Sequence, residues 1–308
     1  MIVRIGWSLG LFLGSLMAGW VLGRLRVLTE GRARHLIRVV VKVISPLILA
    51  LTFWRLDLTH RQTLALPFVG FIVSAATLVP AWGYSRWAKL TRPQLGSFLN
   101  CAFFSNLGYL GAFVAFAVGG ETAYGLAMLY LVYFSPCFYL LGFSLAKRFG
   151  HPREGAPPQE TAWGDELRLY PFLGLLAGVA CSVLRVPRPA VCEPLNHILI
   201  PLDTALYVTA IGSQLRFEWP GRWWPAGLAM GGIKFLFSPL IGWWCVQTFG
   251  LQGWPRVVVL LQAAMPVGVS PLMLPALFGV DRKLTNALWL TTTMLAIPWL
   301  LLYLPLIR

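Results

Sequence analysis

Ten runs of apolar residues, most of them close to twenty long, follow one another along the chain with short polar connections between them. They cover about 3–23, 36–54, 65–87, 96–118, 124–146, 169–185, 195–215, 224–249, 256–278 and 285–306. A helix rises about 1.5 Å per residue, so about twenty residues match the hydrocarbon thickness of a bilayer. A transmembrane barrel would show strands of about ten residues with alternating polarity instead. The pattern predicts an all-α polytopic membrane protein of ten transmembrane helices. Composition agrees: 57% of the 308 residues are hydrophobic and 12% charged, against about 25% charged in a soluble domain. The first run is expected to be retained rather than cleaved. Arg4 is the only basic residue at its start, no small-residue cleavage pattern follows, and basic residues come directly behind it.

The formal charge of +14 would suit a nucleic-acid partner if it formed a stripe interleaved with exposed aromatics. It does not, and no nucleic-acid partner is expected. The basic residues lie in the connections. With the N-terminus outside, seventeen Lys and Arg fall on inner connections and seven on outer ones, Lys234 being left aside within a span. The positive-inside bias then predicts an integral protein of the cell (plasma or inner) membrane with both termini on the non-cytoplasmic side. The Trp residues at 54, 82, 87, 223, 224, 243, 244 and 254 suit interfacial belts. Five scattered cysteines with no CxxC pair, and four dispersed histidines, predict neither a metal site nor a cofactor.

The two halves of the chain match at a shared offset. Asn106, Gly111, Gly119 and Glu121 each have a counterpart 160 residues on, in Pro266, Pro271, Gly279 and Asp281. LGSLMAGWVLGRLRV from residue 13 resembles LGLLAGVACSVLRV from residue 173, and Pro46 pairs with Pro201. The predicted organisation is a first five-helix repeat over 1–150, a Pro/Gly-rich cytoplasmic linker over 151–168, and a second five-helix repeat over 169–308. Five is odd, so the repeats must be inverted with respect to each other. Inverted repeats whose matching helices are broken near the midplane are a hallmark of secondary transporters.

The matching interruptions are SNLGYLGAF in segment 4 (96–118) and PVGVSP in segment 9 (256–278). Pro266 and Pro271 each remove an amide donor. Gly108, Gly111 and Gly268 allow close backbone approach. Asn106, Gln262 and Ser270 add hydrogen-bonding side chains. Small residues in a membrane helix also serve plain helix packing. The common offset favours a substrate-binding set of Asn106, Gly108, Gly111, Gln262, Pro266, Gly268, Ser270 and Pro271. Neither interrupted run contains Asp or Glu. The exposed N-termini of the resumed half-helices would be partly positive, so the set is read as anion-binding. Lys234, in the middle of segment 8, and Asp203, in segment 7, are the supporting or ion-coupling candidates. Lys234 either adds positive charge to the site, or carries a proton, or is held by a structural partner such as Asp203. Glu121 and Asp281 are read as helix caps.

At these residues the chain resembles the auxin efflux carrier family, which includes plant PIN-type carriers and bacterial malate-permease-like proteins. Asn106 and Gly111 match an Asn-x-x-x-x-Gly-x-Pro pattern, with Phe113 where the family has Pro. AAMPVGVSPLMLPALFGVD (263–281), LAIPWLLLYLPL (295–306), and Lys234 followed by Pro239 fit further family patterns. The resemblance implies crossed broken helices 4 and 9, a fold similar to bile-acid/sodium symporters, and a homodimerising scaffold of segments 1, 2, 6 and 7. It also implies an elevator-type cycle and organic-anion substrates such as auxin-like carboxylates.

The function expected is export of a small organic anion by a secondary active or potential-driven carrier embedded in the lipid bilayer. A sodium- or proton-coupled carboxylate symporter and a non-transporting sensor or channel are the alternatives. An enzyme is not expected, because no nucleophile with a base and no metal cluster is found within the spans.

Overall fold

The computed structural model describes residues 2–151, 165–215 and 219–307. Among them every named element is helical, and seven helices are long and apolar enough to cross a membrane. These are Val3–Arg24, Glu30–Arg55, Arg61–Trp87, Leu107–Phe149, Cys192–Gln214, Gly221–Thr248 and Arg282–Ile307. The chain is an integral, polytopic membrane protein. Most of the 151–168 linker (152–164) lies outside the described residues.

The count differs from ten for local reasons. Segment 4 leaves the helix after Phe103, and segment 9 after Ala263. Segment 6 forms the Asp165–Val183 helix, which is apolar only over Leu169–Val183. Leu107–Phe149 has 43 residues, about 65 Å of helix, or twice the ~30 Å hydrocarbon layer. Its backbone leaves helical geometry at Gly120, with φ 66° and ψ −157°, a region open essentially to glycine alone. Gly120→Ala is therefore expected to destabilise the protein by about 1–3 kcal/mol. A thermal melt of the purified variant checks this, and an unchanged midpoint would rule out the strain.

The chain forms two compact units. The first comprises Met1–Leu64, Gly108–Leu126 and Trp163–Arg216. It holds segments 1, 2, 6 and 7. The Ile2–Arg24 helix packs on Cys192–Gln214, and Ser45–Arg55 packs on Asp165–Val183. Small residues make both contacts close: Gly19 and Gly23 face the backbone of Thr209 and Ser213, and Gly174 and Gly178 face Pro46 and Ala50. In lipid, such close packing replaces the hydrophobic drive available in water.

This unit also contains a buried ionic cluster, which corrects the reading of Glu121 as a cap. The Glu121 carboxylate is 1% exposed and accepts from Arg188 and from Arg55, the latter at 3.3 Å. Asn196 Nδ2 donates to the same carboxylate and to Thr52 Oγ1. Arg55 also reaches Glu193 at 3.1 Å.

The second unit comprises Ala65–Leu107, Ala127–Ala162 and Phe217–Arg308. Thr91 and Gln94 form a capping box that starts the Arg92–Phe103 helix. Asp281 accepts from the Leu284 amide at 2.9 Å, as an N-cap does, and its other carboxylate oxygen accepts from Gln94. Phe103 and Phe104 are buried with Phe138, Phe143 and Leu274. This aromatic core holds the end of the segment 4 helix.

Candidate functional site

The site lies in the second unit and is built from two interrupted helices. The Arg92–Phe103 helix passes into extended backbone at Phe104, φ −94° and ψ 104°. In a continuing helix the Asn106 amide would bond to the Ala102 carbonyl four residues back. It donates to the Pro266 carbonyl instead, at 2.8 Å. The Gly268 amide returns to the Phe104 carbonyl at 2.9 Å. The two bonds frame an antiparallel bridge between Ser105 and Val267. A Cβ on Gly268 would stand 2.8 Å from the Ser105 carbonyl oxygen, so glycine is what allows the two backbones to meet.

Segment 9 breaks by a different route. Pro266 has no amide to donate. The Val267 amide, which a continuing helix would direct to Ala263, bonds to Thr292 Oγ1 at 3.2 Å. The Ala263 carbonyl accepts from Ser238 Oγ at 2.7 Å. Each helix end left open by the break thus receives a partner from a neighbouring segment, as buried backbone groups away from water require.

The Ala102 carbonyl is served by a buried lysine. Lys234 Nζ donates to it and to Ser105 Oγ, the latter at 2.8 Å, and Thr77 Oγ1 donates to the same carbonyl at 2.8 Å. Lys234 is fully buried and sits in a π-helical turn, Ile233–Phe237. It meets the carbonyl end of a helix, where about half a negative charge gathers. Gln262 Nε2 donates to the Leu107 carbonyl at 3.1 Å, while Gln262 Oε1 is buried without a hydrogen-bond partner.

Asn106, Gln262, Pro266, Gly268 and Lys234 therefore come together. Ser270 and Pro271 open the turn with which segment 9 resumes. Gly108 and Gly111 do not mark the break. They lie in the π-helical stretch Leu107–Ala112 that follows it, and they cluster with the first unit. Phe113 is helical and buried, 5.6 Å from Trp7 between ring centroids. The break needs no proline there because it has already occurred nine residues earlier, at Phe104. Asp203 is not the partner of Lys234. It belongs to the first unit and accepts from Ser45 Oγ at 2.7 Å.

Sequence reasoning missed Ser105, Thr77, Ser238 and Thr292. Their common signal is a hydroxyl inside an apolar run, which a helix with all its own backbone bonds has little use for. The electrostatic picture also changes. The expected positive helix N-termini are joined at the break by two carbonyl ends, at Phe103 and Ala263, of which one carries Lys234.

Interrupted helices whose opened backbone is bridged at buried positions, with the buried Lys234 amine alongside, are an arrangement of the kind transporters use. A family model described as membrane transport protein matches residues 159–304. The chain is 25% identical over 286 residues to an uncharacterized transporter of Methanocaldococcus jannaschii, covering 87% of each chain. It is 24% identical over 282 residues to an uncharacterized transporter of Methanothermobacter thermautotrophicus, covering 91% of each.

Proposed function

We propose that this chain is a secondary carrier that exports a small organic anion. The observation that supports it best is the bridge between the two interrupted segments. Backbone opened at depth in a membrane is tolerated where it lines a polar path or is buried in protein, and here it lies beside the buried Lys234 amine. The proposed arrangement is ten spans in two inverted five-helix repeats, 1–150 and 169–308, joined by a cytoplasmic linker, with both termini outside. The binding residues are Asn106, Gln262, Pro266, Gly268, Ser270 and Pro271, with Lys234 as the supporting cation. Gly108, Gly111 and Asp203 stay outside the proposed set because they belong to the first unit.

The carrier would work by an elevator-type cycle in which the second unit transports the anion, within a homodimer in the cell membrane. A membrane potential that is negative inside drives an anion outward, by about 2.3 kcal/mol per charge at 100 mV. The substrate class is an auxin-like or other carboxylate.

The test begins with thermal melts of the purified protein against a panel of mono- and dicarboxylates. The stabilising compound is then followed in proteoliposomes. Asn106→Leu is expected to abolish saturable flux while the melting profile stays within a few degrees of wild type. Undiminished flux in a folded Asn106→Leu protein would remove Asn106 from the site, and flux that does not saturate would point to a channel.

A further inference from the structure

We propose that the Lys234 ammonium is a tethered stand-in for a bound monovalent cation, seated at the carbonyl end of the Arg92–Phe103 helix. Its hydrogen-bond partners are neutral oxygens, the Ala102 carbonyl and the Ser105 hydroxyl. Carbonyl and hydroxyl oxygens of this kind replace the hydration shell of small cations in membrane sites. Among the described residues no carboxylate lies within ion-pair distance of Lys234, so the negative counter-charge comes from the helix end itself. That end is open for a defined reason. The amide of Asn106, which would have closed it, is committed to Pro266.

Segments 3, 4 and 9 set the surroundings. Segment 3 supplies the Thr77 hydroxyl on the same carbonyl. Cys101, buried and adjacent to Ala102, lies on the same helix. Segment 9 lies across the bridge and brings its own carbonyl end, at Ala263, which is closed by the neutral Ser238 hydroxyl. The two helix ends are thus treated differently: Lys234 meets the segment 4 end and the Ser238 hydroxyl meets the segment 9 end. Removing the Lys234 side chain would leave a buried, oxygen-lined seat with a partial negative charge. The chemistry fits ammonium, methylammonium or an alkali ion. Because the seat is already filled in the native protein, sodium should have no place to act there.

This inference goes beyond the transport reading and does not depend on it, since the test reads stability and not flux. The full chain is purified as wild type, Lys234→Ala and Lys234→Met, and melted at constant ionic strength in N-methylglucamine chloride. Ammonium, methylammonium, sodium or potassium chloride is then titrated in. Lys234→Ala is expected to melt roughly 5 °C or more below wild type, and methylammonium or ammonium should restore part of the loss saturably. Lys234→Met should also melt low but resist restoration, because its side chain fills the seat without a charge. Wild type should respond to none of the four salts. A Lys234→Met protein as stable as wild type overturns the proposal, as does saturable stabilisation of wild type by sodium, or a Lys234→Ala protein that no cation stabilises. If Lys234→Ala yields no folded protein in N-methylglucamine, recovery of monodisperse protein when methylammonium is present throughout purification supports the seat. Failure with all four cations overturns it.

Discussion

Glu121→Ala is expected to lower the melting temperature of the purified protein by roughly 6–12 °C. The carboxylate is 1% exposed and is shared by Arg188, Arg55 and Asn196. Taking it away leaves the Arg188 guanidinium, itself only 16% exposed, without its counter-charge. Breaking one side of a buried ion pair costs about 3 kcal/mol or more, and each kcal/mol moves the midpoint of a large domain by about 2–4 °C. Arg55 is 41% exposed and keeps Glu193, so solvent screens most of its share. Glu121→Gln keeps the shape and some hydrogen bonding and should fall between the two. The double variant Glu121→Ala with Arg188→Met should recover part of the loss, because no charge is then stranded. Glu30→Ala is the contrast: its pair with Arg34 spans 3.7 Å on an exposed helix face, and its loss should leave the midpoint where it was. A Glu121→Ala protein that melts with wild type would show that water reaches the cluster freely.

That cluster also shows where the sequence stops being readable. Glu121 has a counterpart in Asp281 at the same offset, and both looked like caps. Asp281 does cap its helix, because a cap partner lies three residues on and is visible locally. The partners of Glu121 lie 66, 67 and 75 residues away. No local pattern marks them.

The two breaks divide in the same way. In segment 9 the prolines announce the interruption, since each removes a donor whatever the tertiary context. In segment 4 the interruption falls on Phe104–Asn106, residues with no such constraint. It exists because Pro266 and Gly268 offer hydrogen bonds from across the bridge. The glycines that drew attention, Gly108 and Gly111, sit in the helix that follows. Lys234 was legible as an expensive residue at depth. Its partner was not, because a backbone carbonyl carries no sequence signal and becomes available only once the helix has broken. The same holds for Thr77, Ser238 and Thr292, whose roles depend on which backbone groups the breaks leave open.

Gly268→Val should impair both stability and transport. A Cβ at this position would meet the Ser105 carbonyl oxygen at 2.8 Å, its carbon at 3.1 Å and the Phe104 carbonyl oxygen at 3.4 Å. All three are backbone atoms and cannot swing aside as a side-chain end can. Relief requires the two segments to part, which lengthens both the Asn106–Pro266 and the Gly268–Phe104 bonds. The Ser105 hydroxyl then moves away from Lys234, so one substitution disturbs the bridge and the buried cation together. Overpacking of this kind costs about 1–3 kcal/mol, and a melt should fall by several degrees. Flux of the carboxylate identified by the stability screen should fall by about two orders of magnitude, because a misplacement of ~1 Å at a binding site costs that much. Gly268→Ala should lie between wild type and valine. Gly232→Ala in segment 8, where an added Cβ meets nothing within 4 Å, should be silent in both measurements. A folded Gly268→Val protein carrying wild-type flux would separate the bridge from transport and confine it to holding the helices together.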